Sequence, residues 1–151
     1  MTATWLALHL VGFTAWLGGL LAVLALRQAA GREDPAQGGV VARTAGAIYR
    51  ILVGPGAMVT VVSGLILTLR LYGEATSDGL SGPLMAMQGL GLLAAMIALI
   101  VSVPTASRLA RLEPVGPAAA LCAELAARLR LADLITLGLG LAALVAGAMG
   151  R

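Results

Sequence analysis

Leu84–Val103 reads LMAMQGLGLLAAMIALIVSV, twenty residues without a charged side chain, and its length decides the fold. A bilayer hydrocarbon core of about 30 Å is crossed by about 20 helical residues rising 1.5 Å each. Trp5–Leu26, Ile51–Leu69 and Leu134–Met149 are likewise uncharged. The last falls short of a full span unless Leu131–Asp133 is counted, which sets Asp133 at the membrane border. Backbone polar groups in lipid must be satisfied within a helix or a closed barrel, and runs this continuous lack the alternation of a barrel strand. The expected fold is therefore all-α, a single-domain antiparallel four-helix transmembrane bundle, with spans at about 4–26, 45–71, 84–103 and 130–149.

Composition points the same way, since 60% hydrophobic and 11% charged residues do not suit an ordinary soluble domain. All ten basic residues are arginine, a bias that suggests a GC-rich bacterial genome and hence the bacterial inner membrane. The net charge of +3 matters less than its distribution. Arg27, Arg32, Arg43 and Arg50 flank the first connection, and Arg108, Arg111, Arg128 and Arg130 flank the third. The other side carries only Arg70 and Arg151, so the positive-inside rule puts the arginine-rich connections in the cytoplasm and both termini outside. Nucleic acid is not an expected partner; the lipid bilayer is.

No basic residue precedes the first apolar run and Arg27 follows it, so it is expected to remain as a span and not to act as a cleaved signal. Cys122 is the only cysteine, which excludes an intrachain disulfide and the CxxCH motif of covalent haem attachment.

Gly31 to Pro35 and Gly38-Gly39 break the chain after the first span. The second helix is expected to begin before the membrane, near Val40, and to kink near Pro55 in Gly54-Pro55-Gly56, where a proline removes a backbone donor. Tyr72 to Pro83 reads as a short outer link. The third helix is expected to stop near Pro104, and Pro117 is placed to open the next. Leu121, Leu125 and Leu129, beside Glu124, Arg128 and Arg130, form an amphipathic stretch that extends helix four into the cytoplasm. Small residues recur at spacing four, Gly56, Thr60, Gly64 and Thr68 in helix two and Gly138, Ala142, Ala146 and Gly150 in helix four, and such stripes promote close helix packing. The two halves run alike, out to in to out, in the manner of a parallel duplication.

His9 is the only histidine and lies about one helical turn inside the outer face. Ionisable groups at membrane depth are candidates for function because they are costly to keep there. Gln88 and Thr68 are expected at a similar depth, with Gly64 and Ala146 leaving space, so His9 is either a hydrogen-bonded structural group or a ligand to haem iron or another metal. Met85, Met87 and Met149 near the outer ends of helices three and four would complete a soft His/Met site for Cu(I), although methionine is also ordinary apolar filler. Asp133 is almost a membrane thickness away from His9; it is expected to form a structural ion pair with Arg50, with Arg130 as second candidate and a proton relay as the alternative role.

The segment His9-Leu-Val-Gly12-Phe-Thr-Ala-Trp16-Leu-Gly18-Gly19, followed by Arg27, resembles the opening helix of a broad group of small bacterial membrane proteins. Together with Pro55, Ser63-Gly64 and Val103-Pro104, the whole chain resembles a family of four-span integral membrane proteins of unknown function. More distantly, its first helix is similar to the membrane domain of copper-resistance D-type proteins and to the haem-associated bacterial membrane protoporphyrinogen oxidase. Those likenesses imply haem or copper at the position of His9. The chain has no lysine, so a lysine ligand or catalytic lysine of those relatives has no counterpart here.

No paired carboxylates, Ser/His/Asp set, phosphate loop or zinc motif is present in the sequence. The expected function is therefore that of a non-enzymatic accessory or interaction subunit, in a larger membrane complex or a homo-oligomer, with a haem-binding redox protein and a copper-handling protein as alternatives.

Overall fold

A computed structural model describes residues 2–30, 38–72 and 82–149. These residues form four long helical rods and no strand. The first rod is α1, Thr2–Ala30. The second joins α2, Gly38–Ile48, through a π-helical turn at Tyr49–Val53 to α3, Gly54–Tyr72. The third joins α4, Gly82–Ile97, through a π turn at Ala98–Ser102 to α5, Val103–Leu109. A short 3-10 turn, Gly116–Ala118, then leads into α6, Ala119–Met149. All four rods are long and apolar enough to cross a membrane. The expected all-α four-helix bundle is found, including the long fourth helix, whose 31 residues correspond to about 46 Å at 1.5 Å per residue.

The two π turns share a cause. Proline lacks the N–H that an α-helix needs and its ring presses on the carbonyl four residues back. Ahead of Pro55 the Gly54 N–H bonds to the Tyr49 carbonyl, and ahead of Pro104 the Val103 N–H bonds to the Ala98 carbonyl. In both, the five-residue register widens the helix just before the proline and lets the rod continue. Where a kink was expected near Pro55 the helix carries a π turn, and the third helix, expected to stop near Pro104, runs on to Leu109. The bulges lie in rods two and three, which a parallel duplication would not equate.

Packing is tightest within two antiparallel pairs, α1 with α3 and α4 with α6. Glycines set the approach of the first pair. A methyl group at Gly56 would lie 2.7 Å from the Trp16 backbone nitrogen, and one at Gly12 2.9 Å from that of Thr60. The stripe Gly56, Thr60, Gly64 therefore packs against α1. The helix-four stripe does not behave as expected: Gly138 and Ala142 are exposed, a methyl group at Gly138 would meet nothing within 4 Å, and Gly150 lies outside the described residues. The packing face of α6 is instead Asp133, Thr136, Gly140 and Ala143, all buried, with Gly147 against Met87. The inward face follows the 3.6-residue period from Asp133, and the spacing-four stripe drifts off it.

Trp16, Leu20, Val23, Tyr49, Val53 and Leu129 fill the centre. Ile51, Leu65, Ile100 and Val145 point outward and are each more than half exposed. At the start of α6 Leu125 and Leu129 are buried while Glu124, Arg128 and Arg130 are exposed, as the amphipathic reading requires.

Candidate functional site

The most polar part of the interior gathers around Asp133 at the arginine-rich end of the bundle. Its carboxylate is fully buried. Oδ2 accepts hydrogen bonds from Arg27 Nη1 at 3.0 Å and from the Tyr49 hydroxyl. Arg27 sits in the last turn of α1, and a long helical side chain leans back toward its own N-terminus, which brings the guanidinium down to the level of Asp133. Tyr49 opens one π turn and Ser102 closes the other, so both bulges present a hydroxyl residue to the bundle interior. Asp133 Oδ1, Arg27 Nη2 and the hydroxyls of Ser102 and Thr136 are buried without a hydrogen-bond partner among the described residues.

This corrects the pairing expected from the sequence. Arg50 is exposed and Arg130 is exposed, while Arg27 makes the ion pair. Successive helical residues diverge by about 100°, so with Tyr49 directed inward its neighbour Arg50 points out. No motif in the sequence singles out Tyr49 or Ser102. The available signal was a tyrosine at the border of the apolar run Ile51–Leu69, whose hydroxyl needs a partner when buried.

His9 occupies the seam between α1 and α3 near the other end. Its Nδ1 lies 2.9 Å from the Thr60 carbonyl oxygen. A carbonyl only accepts, so Nδ1 carries the proton and Nε2 the lone pair. Ser63 Oγ is 3.3 Å from the same nitrogen and donates to the Val59 carbonyl. Gly64 gives the ring its space: a methyl there would come within 3.0 Å of His9 Cε1. Thr68 and Gln88 meet each other, Gln88 Nε2 donating to Thr68 Oγ1 at 2.6 Å while Thr68 donates to the Gly64 carbonyl at 3.0 Å. They link α3 to α4 one turn beyond the histidine and make no hydrogen bond to it. Met85 and Met149 are exposed on the outer surface, and Met87 packs in the α4–α6 seam against Gly147. Among the described residues no group of three or more His, Cys, Asp or Glu side chains is placed to hold a metal ion.

Beyond the Asp133 centre, a cavity of about 340 Å³ opens between the ends of all four rods. Val41, Ala45, Ala106, Leu129 and Cys122 line it, and among the described residues Arg27 is the one charged side chain in its wall.

Comparison with models of known families, with curated proteins and with solved structures finds no match to this chain.

Proposed function

We propose that this chain is a polytopic protein of the bacterial inner membrane that works without catalysis, as an accessory or interaction subunit. Its arginine-rich connections face the cytoplasm and its termini the outside. One observation carries the reading: three polar contacts between helices, His9 to Thr60, Gln88 to Thr68, and Asp133 to Arg27 and Tyr49, engage the conspicuous polar side chains of the spans as fasteners. Interhelical hydrogen bonds of this kind hold bundles together where lipid removes the hydrophobic incentive. The outward Ile51, Leu65, Ile100 and Val145 give lateral surface to lipid, a second copy or a larger membrane protein. Extraction in mild detergent should return the chain within an assembly larger than one copy; a lone, fully folded monomer at native expression levels would count against this role. Reporter fusions to each terminus and each connection check the orientation.

A second reading has its own support. Anchoring Nδ1–H on a main-chain carbonyl is how metal-binding histidines are commonly oriented, and it presents Nε2 as the ligand. His9 therefore fits an axial ligand of haem, as the first-helix resemblance implies, with the second ligand coming from another copy, a methionine or water. Oxidised and reduced visible spectra decide: a near-stoichiometric Soret band lost in His9→Ala supports haem. Bound copper without that band, sensitive to substitution of Met85, Met87 or Met149, supports the copper alternative.

A further inference from the structure

Three side-chain oxygens at the Asp133 centre still lack partners. Asp133 Oδ1, Ser102 Oγ and Thr136 Oγ1 make no hydrogen bond among the described residues, and all three residues are fully enclosed. Asp133 and Thr136 lie three apart in α6 and so share one face of it. Ser102, which closes the π turn ahead of Pro104, is a neighbour of the Asp133 carboxyl but makes no direct hydrogen bond to it.

Hydroxyls elsewhere in the bundle behave differently. Thr60, Ser63 and Thr68 each donate to the carbonyl four residues back in α3, those of Gly56, Val59 and Gly64. That bond is open to helical serine and threonine in general, yet Ser102 and Thr136 do not use it. At Ser102 the carbonyl four residues back is that of Ala98, which the π register gives to the Val103 N–H. Two hydroxyls that forgo the local partner, beside a carboxylate satisfied on one oxygen only, mark a place for a bound molecule.

Chemistry selects that molecule. A buried polar group is costly without a partner. Oδ1 can only accept, whereas each hydroxyl both donates and accepts, so the ligand must bring a hydrogen to Oδ1. Arg27 already neutralises the carboxylate, and a metal cation would therefore carry uncompensated charge into an enclosed site. An anion would face the bare Oδ1. Water is neutral, donates and accepts, and when buried typically makes about three hydrogen bonds to groups the protein leaves over. Arg27 Nη2, also buried and unpartnered among the described residues, adds a donor on the same side chain that holds Oδ2.

We propose that the Asp133 centre binds water, held between Asp133 Oδ1 and the hydroxyls of Ser102 and Thr136. Through it the third rod joins a hydrogen-bond network otherwise made by rods one, two and four. The inference rests on neither the accessory role nor a cofactor at His9, and it needs no particular depth in a bilayer.

Water-edited solid-state NMR of the full-length protein in phosphatidylcholine vesicles reads the site directly. Magnetisation from water protons should reach the Asp133 carboxyl carbon and the Thr136 β carbon several-fold faster than the β carbon of Thr60, whose buried hydroxyl is bonded to the Gly56 carbonyl. Thr136→Ser, which keeps the hydroxyl, should preserve fast transfer to Asp133, and Thr136→Val should slow it. Transfer to Asp133 and Thr136 as slow as to Thr60 would overturn the proposal, as would indifference to Thr136→Val. Exchanging choline chloride for sodium chloride at equal ionic strength should leave Tm unchanged. A Tm that rises with sodium concentration would overturn water in favour of a bound cation.

Discussion

Asp133 takes two donors on one oxygen and none on the other, and its surroundings decide what each substitution costs. Removing one partner of a buried ion pair leaves an uncompensated charge, at about 3–5 kcal/mol, whereas replacing both by apolar groups is often neutral. Arg27→Leu and Asp133→Leu should each destabilise the protein by that amount, and the double substitution should recover most of it, measured by reversible unfolding in mixed detergent. Arg50→Ala should change stability by less than about 0.5 kcal/mol, since Arg50 is exposed. The sequence made Asp133 conspicuous as an acid in an apolar run, but Arg27 and Arg50 lie at similar depth. Only the direction each helix face takes separates them, and a count of residues from the membrane edge does not carry that. His9 shows the same limit. Its depth and the space provided by Gly64 were legible; its partner was not, because Thr60 contributes a main-chain carbonyl, which every residue has and no pattern marks.

Among the elements, the π turns have the largest effect. A residue inserted into the helix by the five-residue register rotates everything on one side of it by about 100°. Tyr49 meets Asp133 because of that rotation. Pro55→Ala, which restores the missing donor, should let the turn relax toward α-helix and swing the tyrosine away. Tyr49→Phe should cost about 1.5–3 kcal/mol, as a lost hydrogen bond to a charged group. Pro55→Ala combined with Tyr49→Phe should cost no more than the worse single change, a non-additivity that a double-mutant cycle reads directly. Gly-Pro-Gly announced a disturbance in helix two, but proline chemistry fits a kink, a stop or a bulge equally well. Val103-Pro104 looked like an ending for the same reason. Glycine stripes divide in the same way: Gly56→Ala should be strongly destabilising because backbone atoms of α1 cannot move aside, while Gly138→Ala should be neutral or gain up to about 1 kcal/mol in helix propensity. Thermal unfolding of the two variants side by side tests that the α3 stripe packs inward while the spacing-four stripe of α6 does not.

At the scale of the molecule, the bundle is two helical hairpins that share one apolar core and are pinned to each other by a few polar contacts. Arg27 and Tyr49 belong to the first hairpin and Asp133 to the second. Thr68 and Gln88 join them again near the opposite end. Between these, Leu17 of α1 packs over Gly140 of α6. Residues 1–72 and 82–151, produced as separate polypeptides, should therefore associate in the membrane and co-purify, and Asp133→Leu should weaken their association far more than Arg50→Ala does. The four rods and the long fourth helix were legible because apolar length is written directly in composition. The pairing of hairpins was not, since it rests on a shared apolar core with no pattern of its own and on hydrogen bonds between residues 106, 84 and 20 positions apart in sequence.

The 106 residues between Arg27 and Asp133 also set an order of events during synthesis. Chains fold from the N-terminus as the ribosome delivers them, so the guanidinium arrives early and its counter-charge arrives with the last helix. Throughout that interval the nascent first hairpin carries an arginine without its acid, held near the interface by its own length. The final helix is the step that neutralises it. A chain truncated before α6 would retain that positive charge with no counter-charge from Asp133 as a durable mark of incompleteness.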